Sequence, residues 1–295
     1  MSKVKGTLMV LLAACFWSTM GVFSRYINQL GLYALEVSQI RTTVGLLLIG
    51  SYLVLMRRDL LKIRWKDLWC FLGTGVLSLL FFCITYFRSL QTISMSAATV
   101  LLYMAPVYVM LMSLALFKEK LSVNKVIALL LAVIGCVFSS GIGGFRGDTI
   151  GILLALASGV FYALYSIFSR YAIQRGYHAY TIVFYTFLFS AIGCSFISDW
   201  EAITDTLVHT DTAWLLYLGL GLLSGFLPYL LYSKGLTLME SSRASILASM
   251  ETVFSTIWGL TLFSECPNAL GWLGMALVLG AVCVLSVPQK KNESY

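Results

Sequence analysis

Charge is the scarcest resource in this sequence. Asp, Glu, Lys and Arg make up only 11% of its 295 residues, against roughly 25% in a water-soluble domain. So few charges cannot solvate a globular surface, which excludes a soluble enzyme or a cytosolic binding module. Histidine is nearly missing: His178 and His209 sit in or beside loops without metal-ligand company. The cysteines (Cys15, Cys70, Cys83, Cys136, Cys194, Cys266 and Cys283) are scattered through apolar segments with no CxxC pair. That argues against a metal or redox centre and for small buried hydrophobes. No GxxxxGK[ST] motif is present, so ATP hydrolysis by this chain has no support, and no cofactor is implied. Short strands alternating polar with apolar residues, the mark of a membrane barrel, are also missing.

What the sequence has instead is apolar length. Hydrophobic residues make up 59% of the chain, its mean hydropathy is +0.88, and runs of about 20 residues, enough for a helix to cross a bilayer, recur from end to end. Backbone groups in lipid must bond within their own segment, so these runs read as helices. Lys3 and Lys5 precede an apolar stretch too long for a signal peptide, which reads as the first spanning helix. The expected spans are 5–27, 33–56, 66–87, 94–117 and 122–140, then, after a glycine-rich break at Gly141, Gly143, Gly144 and Gly147, 149–172, 178–198, 212–234, 242–263 and 268–287. Nothing is left over for a soluble catalytic domain. The fold class is an all-α membrane protein.

Basic residues fix the expected orientation. With a cytoplasmic N-terminus, the inner side collects Lys3, Lys5, Arg57, Arg58, Lys62, Arg64, Lys66, Lys118, Lys120, Lys125, Arg170, Arg175, Lys234, Arg243, Lys290 and Lys291. The outer side holds Arg25, Arg88 and Arg146, and its longest loop, around Asp199, Glu201, Asp205 and Asp211, has no Lys or Arg. This bias places both termini inside. The net charge of +7 then reflects basic loops at an anionic leaflet and calls for no nucleic-acid partner.

The chain also repeats itself. Phe23-Ser24-Arg25-Tyr26 returns as Phe168-Ser169-Arg170-Tyr171 (168 − 23 = 145), and the same offset pairs Gly6 with Gly151, Trp17 with Tyr162 and Gly135 with Gly280. One residue of slip (265 − 119 = 146) pairs Tyr86 with Tyr232, Phe117 with Phe263 and Glu119 with Glu265. A near-constant register over two halves marks an internal repeat. The halves are 5–140 and 149–287, five spans each. An odd number of spans inverts the second half relative to the first, the arrangement suited to alternating access.

Several blocks carry a family resemblance: Ala14-Cys15-Phe16-Trp17-Ser18, Arg41, and residues 89–122 with Ser96, Ala97, Ala98, Ala105-Pro106 and Lys118-Glu119-Lys120-Leu121-Ser122. Through them the chain resembles the drug/metabolite transporter superfamily, specifically its ten-helix EamA-like branch, over essentially its whole length. The second half departs from the pattern, with Thr252 where a proline often stands and Cys266-Pro267 after Glu265. The resemblance implies export of small metabolites, often amino acids or their relatives, from the bacterial cytoplasm across the inner membrane. It also implies a cavity walled by helices one, three, four, six, eight and nine.

Helical spacing aligns Ala13, Trp17, Met20 or Gly21, and Ser24 on one face, with Ser158, Tyr162, Tyr165 or Ser166, and Ser169 as their repeat partners. Small residues there fit close helix packing, whereas the paired aromatics fit a cavity wall. Helix four offers Thr99, Tyr103, Pro106 and Met110, and helix nine offers Ser245, Ser249, Thr252 and Thr256. Pro106 and Pro228 each remove a backbone donor, which yields either a kink or free carbonyls for a solute. Glu251 stands in an otherwise uncharged span, where an ionised group must face protein or water. It reads either as a structural ion pair with Arg41 or as a substrate-amine or proton site. Arg25, Arg88, Arg170 and Lys234 lie near helix ends and are expected to snorkel, and Glu119 and Glu265 to act in loop packing or as hinges. The expected substrate-binding set is Trp17, Tyr103, Pro106, Tyr162, Tyr229, Ser249 and Glu251, with Arg41 and Glu251 as the coupling or ion pair.

The partners implied are a small-molecule substrate, the lipid bilayer and, through Glu251, protons; monomer and homodimer both remain open. Import by the same fold is the alternative direction. An intramembrane enzyme on a lipid-linked substrate would need a cluster of His, Asp, Glu or Ser at one depth, and a sensor or structural subunit is the third class.

Overall fold

The computed structural model describes residues 2–139 and 148–286. The glycine-rich break, Arg146, Lys290 and Lys291 lie outside the described residues, as do the last residues of the expected fifth and tenth spans. Every regular element described is helical: α1 (Ser2–Gln29), α2 (Ala34–Met56), α3 (Trp65–Ser89), α4 (Met95–Leu102), α5 (Ala105–Phe117), α6 (Val123–Ser139), α7 (Thr149–Gln174), α8 (Ala179–Ser195), α9 (Trp200–His209), α10 (Ala213–Leu236), α11 (Ser241–Ala248), α12 (Met250–Phe263) and α13 (Ala269–Ser286). Among the described residues, eight helical stretches are long and apolar enough to cross a membrane, or nine if the bent pair α8–α9 is one span. α6 is apolar but has only 17 residues. The protein is a multi-pass membrane protein.

Its burial pattern is that of a chain solvated by lipid. Leu47, Leu55, Leu111, Leu130 and Leu153 face outward, while Ser38, Thr42, Thr74, Ser158, Thr186 and Ser190 are buried between helices. Small polar side chains let helices approach closely and bond to backbone carbonyls, as Thr42 Oγ1 does to Ser38 O at 2.9 Å and Thr186 Oγ1 to Ile182 O at 2.7 Å.

The expected long outer loop is partly a helix. After Ser195 the chain turns by 102° into α9, because Asp199 caps the new helix, its Oδ1 accepting the Ala202 amide at 3.0 Å.

Irregular backbone recurs at the offset of the sequence repeat. Gly31 and Gly176 both have left-handed φ, 83° and 85°, and so do Lys118 (52°) and Ser264 (55°) at the ends of α5 and α12. After each of the latter pair the chain closes in the same way, Glu119 N to Ser113 O and Glu265 N to Gly259 O. The turn at Tyr103–Met104 between α4 and α5 is matched by the break at Ser249 between α11 and α12. Pro106 explains the first, having no amide to continue the ladder. At the second, both the Thr252 amide (3.1 Å) and its hydroxyl (2.9 Å) bond to Ser249 O three residues back, tightening the turn without a proline. α3 and α10 each widen into π-helical turns, over Gly73–Leu80 and Leu220–Phe226.

Reciprocal contacts join the halves. Phe23 lies against Gly219 of α10, and Phe168 lies against Gly73 of α3. A Cβ at Gly219 would come within 2.6 Å of the Phe23 ring, and one at Gly73 within 2.3 Å of Phe168. α1 also packs on α10 through α12, α7 packs on α3, α4 and α5, and α6 packs along α13.

Candidate functional site

A cavity lies among α1, α3, α7, α10 and α11. It is lined by Trp17, by Ser78, Leu79 and Phe82, by Tyr162, Tyr165 and Ser166, by Tyr229 and Tyr232, and by Ser245 and Ala248. It encloses about 380 Å³ of empty space including its open mouth.

Aromatic packing holds the wall in place. The Trp17 ring stands edge-on to Tyr229 at 5.3 Å and tilted against Tyr232 at 5.1 Å. Tyr229 also meets Tyr165 at 5.0 Å and Phe187 at 5.2 Å, and Tyr162 meets Phe82 at 5.6 Å. Two of the tyrosines are tied off by hydrogen bonds of 2.7 Å, Tyr165 to Ser233 and Tyr232 to Ser166. The Trp17 indole N–H and the Tyr162 and Tyr229 hydroxyls have no hydrogen-bond partner among the described residues. These three polar groups are therefore free to bond a solute, and the surrounding rings offer apolar and cation-binding faces.

The other sequence-identified residues fall around this cavity. Tyr103 and Ser249 occupy the two helix breaks. Tyr103 packs on the cluster that contains Met250 and Val253, and its hydroxyl likewise has no partner among the described residues. Pro106 is buried and does not line the cavity; the α4–α5 turn it causes sets the Leu101 and Leu102 carbonyls close against Gly159 of α7. Glu251, in the first turn of α12, is half-buried and makes no hydrogen bond or ion pair with the described residues. Its carboxylate lies within electrostatic reach of Tyr103, Tyr162, Tyr229 and Arg41.

Arg41 is 2% exposed. Its Nη1 donates to Met20 Sδ at 3.1 Å, while Nε and Nη2 have no partner. The two opposite charges thus sit in one region without touching. Among the described residues, no three of His, Cys, Asp and Glu gather to hold a metal.

Sequence reasoning missed Ser78, Leu79 and Phe82. They lie in or just beyond the π-helical turns of α3, where the ordinary helical spacing that identifies a face does not apply. Proteins of known identity bear on this architecture. The chain is 28% identical over 286 residues to the pseudopaline exporter CntI of Pseudomonas aeruginosa, 97% of each chain being covered. It is 27% identical to an uncharacterized transporter of Archaeoglobus fulgidus, covering 90% of this chain and 91% of that one. It is 25% identical to the uncharacterized transporter YwfM of Bacillus subtilis, covering 98% and 96%. A solved crystal structure superposes with a TM-score of 0.78 at 18% identity, over 95% of this chain and 96% of the other, which extends the likeness to the fold. The sequence profile of the EamA-like transporter family matches residues 4–141 and 149–287, and this chain, a membrane transporter, belongs to that family.

Proposed function

We propose that the protein is a secondary transporter that exports a small metabolite, such as an amino acid or a related compound, from the bacterial cytoplasm by alternating access. In this reading residues 5–140 and 149–287 are two inverted five-helix halves with both termini cytoplasmic in the inner membrane. Helix α6 serves as the fifth span.

The observation that carries this reading is the reciprocal seating of Phe23 on Gly219 and Phe168 on Gly73. Together with backbone irregularities at the same offset, it supports two equivalent halves that can exchange conformations. The cavity of Trp17, Tyr162 and Tyr229, flanked by Tyr103, Ser249 and Glu251, supports a polar or amphipathic solute. The exporter among the relatives supports the direction.

Two measurements test it. An overexpressing strain should survive toxic amino acids or their analogues better than the parent, and the purified protein should catalyse counterflow of the same solute in proteoliposomes. Failure of both would remove the reading. Glu251→Gln should abolish or uncouple transport while leaving insertion intact; normal export by that variant at normal expression would remove Glu251 from the mechanism.

A further inference from the structure

We propose that Arg41 is the subsite for the solute's carboxylate, with Glu251 opposite it as the subsite for a protonated amine, so that the substrate is a zwitterion gripped at both ends. The inference rests on the transport reading above and deepens it.

The argument begins with which atoms of Arg41 are left over. Nη1 is occupied by a thioether and Cys83 offers a thiol nearby, and both sulfurs are weak acceptors. Nε and Nη2 are buried and unpartnered. These two nitrogens form the side-on edge of the guanidinium, whose parallel N–H bonds match the two oxygens of one carboxylate. The same edge is used elsewhere in this chain: Arg57 grips Asp59 through Nε and Nη2, at 3.0 Å each. At Arg41 the same edge is buried, and no carboxylate among the described residues meets it.

A guanidinium sealed in this way is costly, since an ion taken out of water forfeits several kcal/mol unless a partner compensates. The nearest candidate inside the fold would be Glu251. The two interact electrostatically, yet no carboxylate of the described residues comes within the 4.0 Å of an ion pair with Arg41. A structural ion pair would have closed that distance. Two unlike charges held apart, each short of a partner, instead match a ligand bearing the complementary pair. Neither charge lines the cavity; Tyr229, which does, interacts electrostatically with both, and its hydroxyl has no partner among the described residues. The Arg41 stem packs against α10 at Gly225, where a Cβ would lie 3.2 Å from Arg41 O and 3.3 Å from Arg41 Cγ. That contact fixes where the guanidinium starts from.

Counterflow in proteoliposomes of the full-length protein tests this with three matched solute sets: L-amino acids, the amines left when their carboxyl groups are removed, and the acids left when their amino groups are removed. The expected result is exchange of at least one amino acid, with KM about tenfold or more higher for its amine and its acid, the loss of one charge-assisted bond each. Arg41→Lys keeps the charge but not the side-on fork, and should collapse the ratio of KM between amine and amino acid toward one. Glu251→Gln, where it uncouples rather than abolishes transport and so still supports counterflow, should collapse the corresponding ratio for the acid. Exchange of amines or uncharged solutes as readily as amino acids by the unmodified protein overturns the assignment, whatever becomes of the variants, and leaves the transport reading standing. Arg41→Lys with an unaltered ratio overturns it too. No exchange of any solute by the unmodified protein removes both readings.

Discussion

Arg25 and Glu265 join the end of α1 to the chain after α12, with Arg25 Nη1 donating to Glu265 Oε1 at 2.7 Å and Nη2 to Oε2 at 3.0 Å. Arg25 also lies 4.4 Å over the Phe263 ring, so it does more than snorkel. The hydrogen bonds from Arg25, then its charge, hold the Glu265 carboxyl below the usual carboxylate range. A depressed value in the folded state means that the pair's stabilisation is complete above the ordinary carboxylate pKa and is lost only as pH falls through the depressed one. Both side chains are about half exposed (47% and 54%), where such pairs contribute under about 1 kcal/mol. Arg25→Ala should therefore shift the melting temperature of the purified protein only slightly at pH 7, and no more at pH 6 than at pH 8. A large shift, or one that varies between pH 6 and 8, would contradict this account. Trp17 and Tyr162 were legible from the sequence because a bulky amphipathic aromatic recurring at one offset is poor packing material and good cavity material. The free state of Arg41 was not legible: sequence shows two opposite charges in two apolar spans, the second and the ninth, and only the distance between them separates an ion pair from two subsites.

At the scale of elements, the repeated tetrapeptide acquires a structural cause. Its phenylalanine is the knob, and the hole is a glycine on a helix of the other half, Gly219 for Phe23 and Gly73 for Phe168. Alanine in a helix ordinarily stabilises relative to glycine by up to about 1 kcal/mol. Here the added methyl overlaps a ring, and overpacking of this kind costs about 1–3 kcal/mol. Gly219→Ala and Gly73→Ala should each lower the melting temperature, and Gly219→Ala combined with Phe23→Ala should cost less than the two changes added separately. Strict additivity would show that the knob and hole do not meet. The spans themselves were legible because apolar length alone demands helix in lipid. What apolar length does not encode is where a helix breaks or widens. The α4–α5 turn is announced by Pro106, and the π-helical turns of α10 end just before Pro228, whereas the Ser249 turn depends on a threonine hydroxyl bonding backwards, and the π-helical turns of α3 carry no comparable mark. The cavity face of α3 was hidden for that reason.

For the whole molecule, the two ends of the repeat are in different conditions. On one side the buried Glu119 carboxylate accepts the Ser241 amide at 2.8 Å, the Ser242 amide at 3.4 Å and the Ser242 hydroxyl, and Lys125 Nζ lies 3.9 Å away. A carboxylate there caps α11 and complements its dipole, latching α11 to the end of α5. By the repeat offset, Glu265 corresponds to Glu119, and the amides of residues 95 and 96 at the start of α4 correspond to those of Ser241 and Ser242. Glu265, however, is engaged with Arg25 instead, so that end is unlatched. Arg170, the repeat partner of Arg25, donates through Nη1 to Leu236 O and Met239 O and keeps an unpartnered Nε. If the halves exchange conformations, the second state has Glu265 capping α4 and Glu119 paired with Arg170. Glu119→Ala removes a cap worth about 1–2 kcal/mol, which should move the balance toward that state by a factor of about 5–30. Spin labels at Lys120 and Thr237, and separately at Met95 and Cys266, in a background free of the other cysteines, report the two ends. In Glu119→Ala the first distance should lengthen as the second shortens. Distance distributions that stay the same at both ends, or that lengthen at both, would show that the latch does not take part in an exchange between the halves.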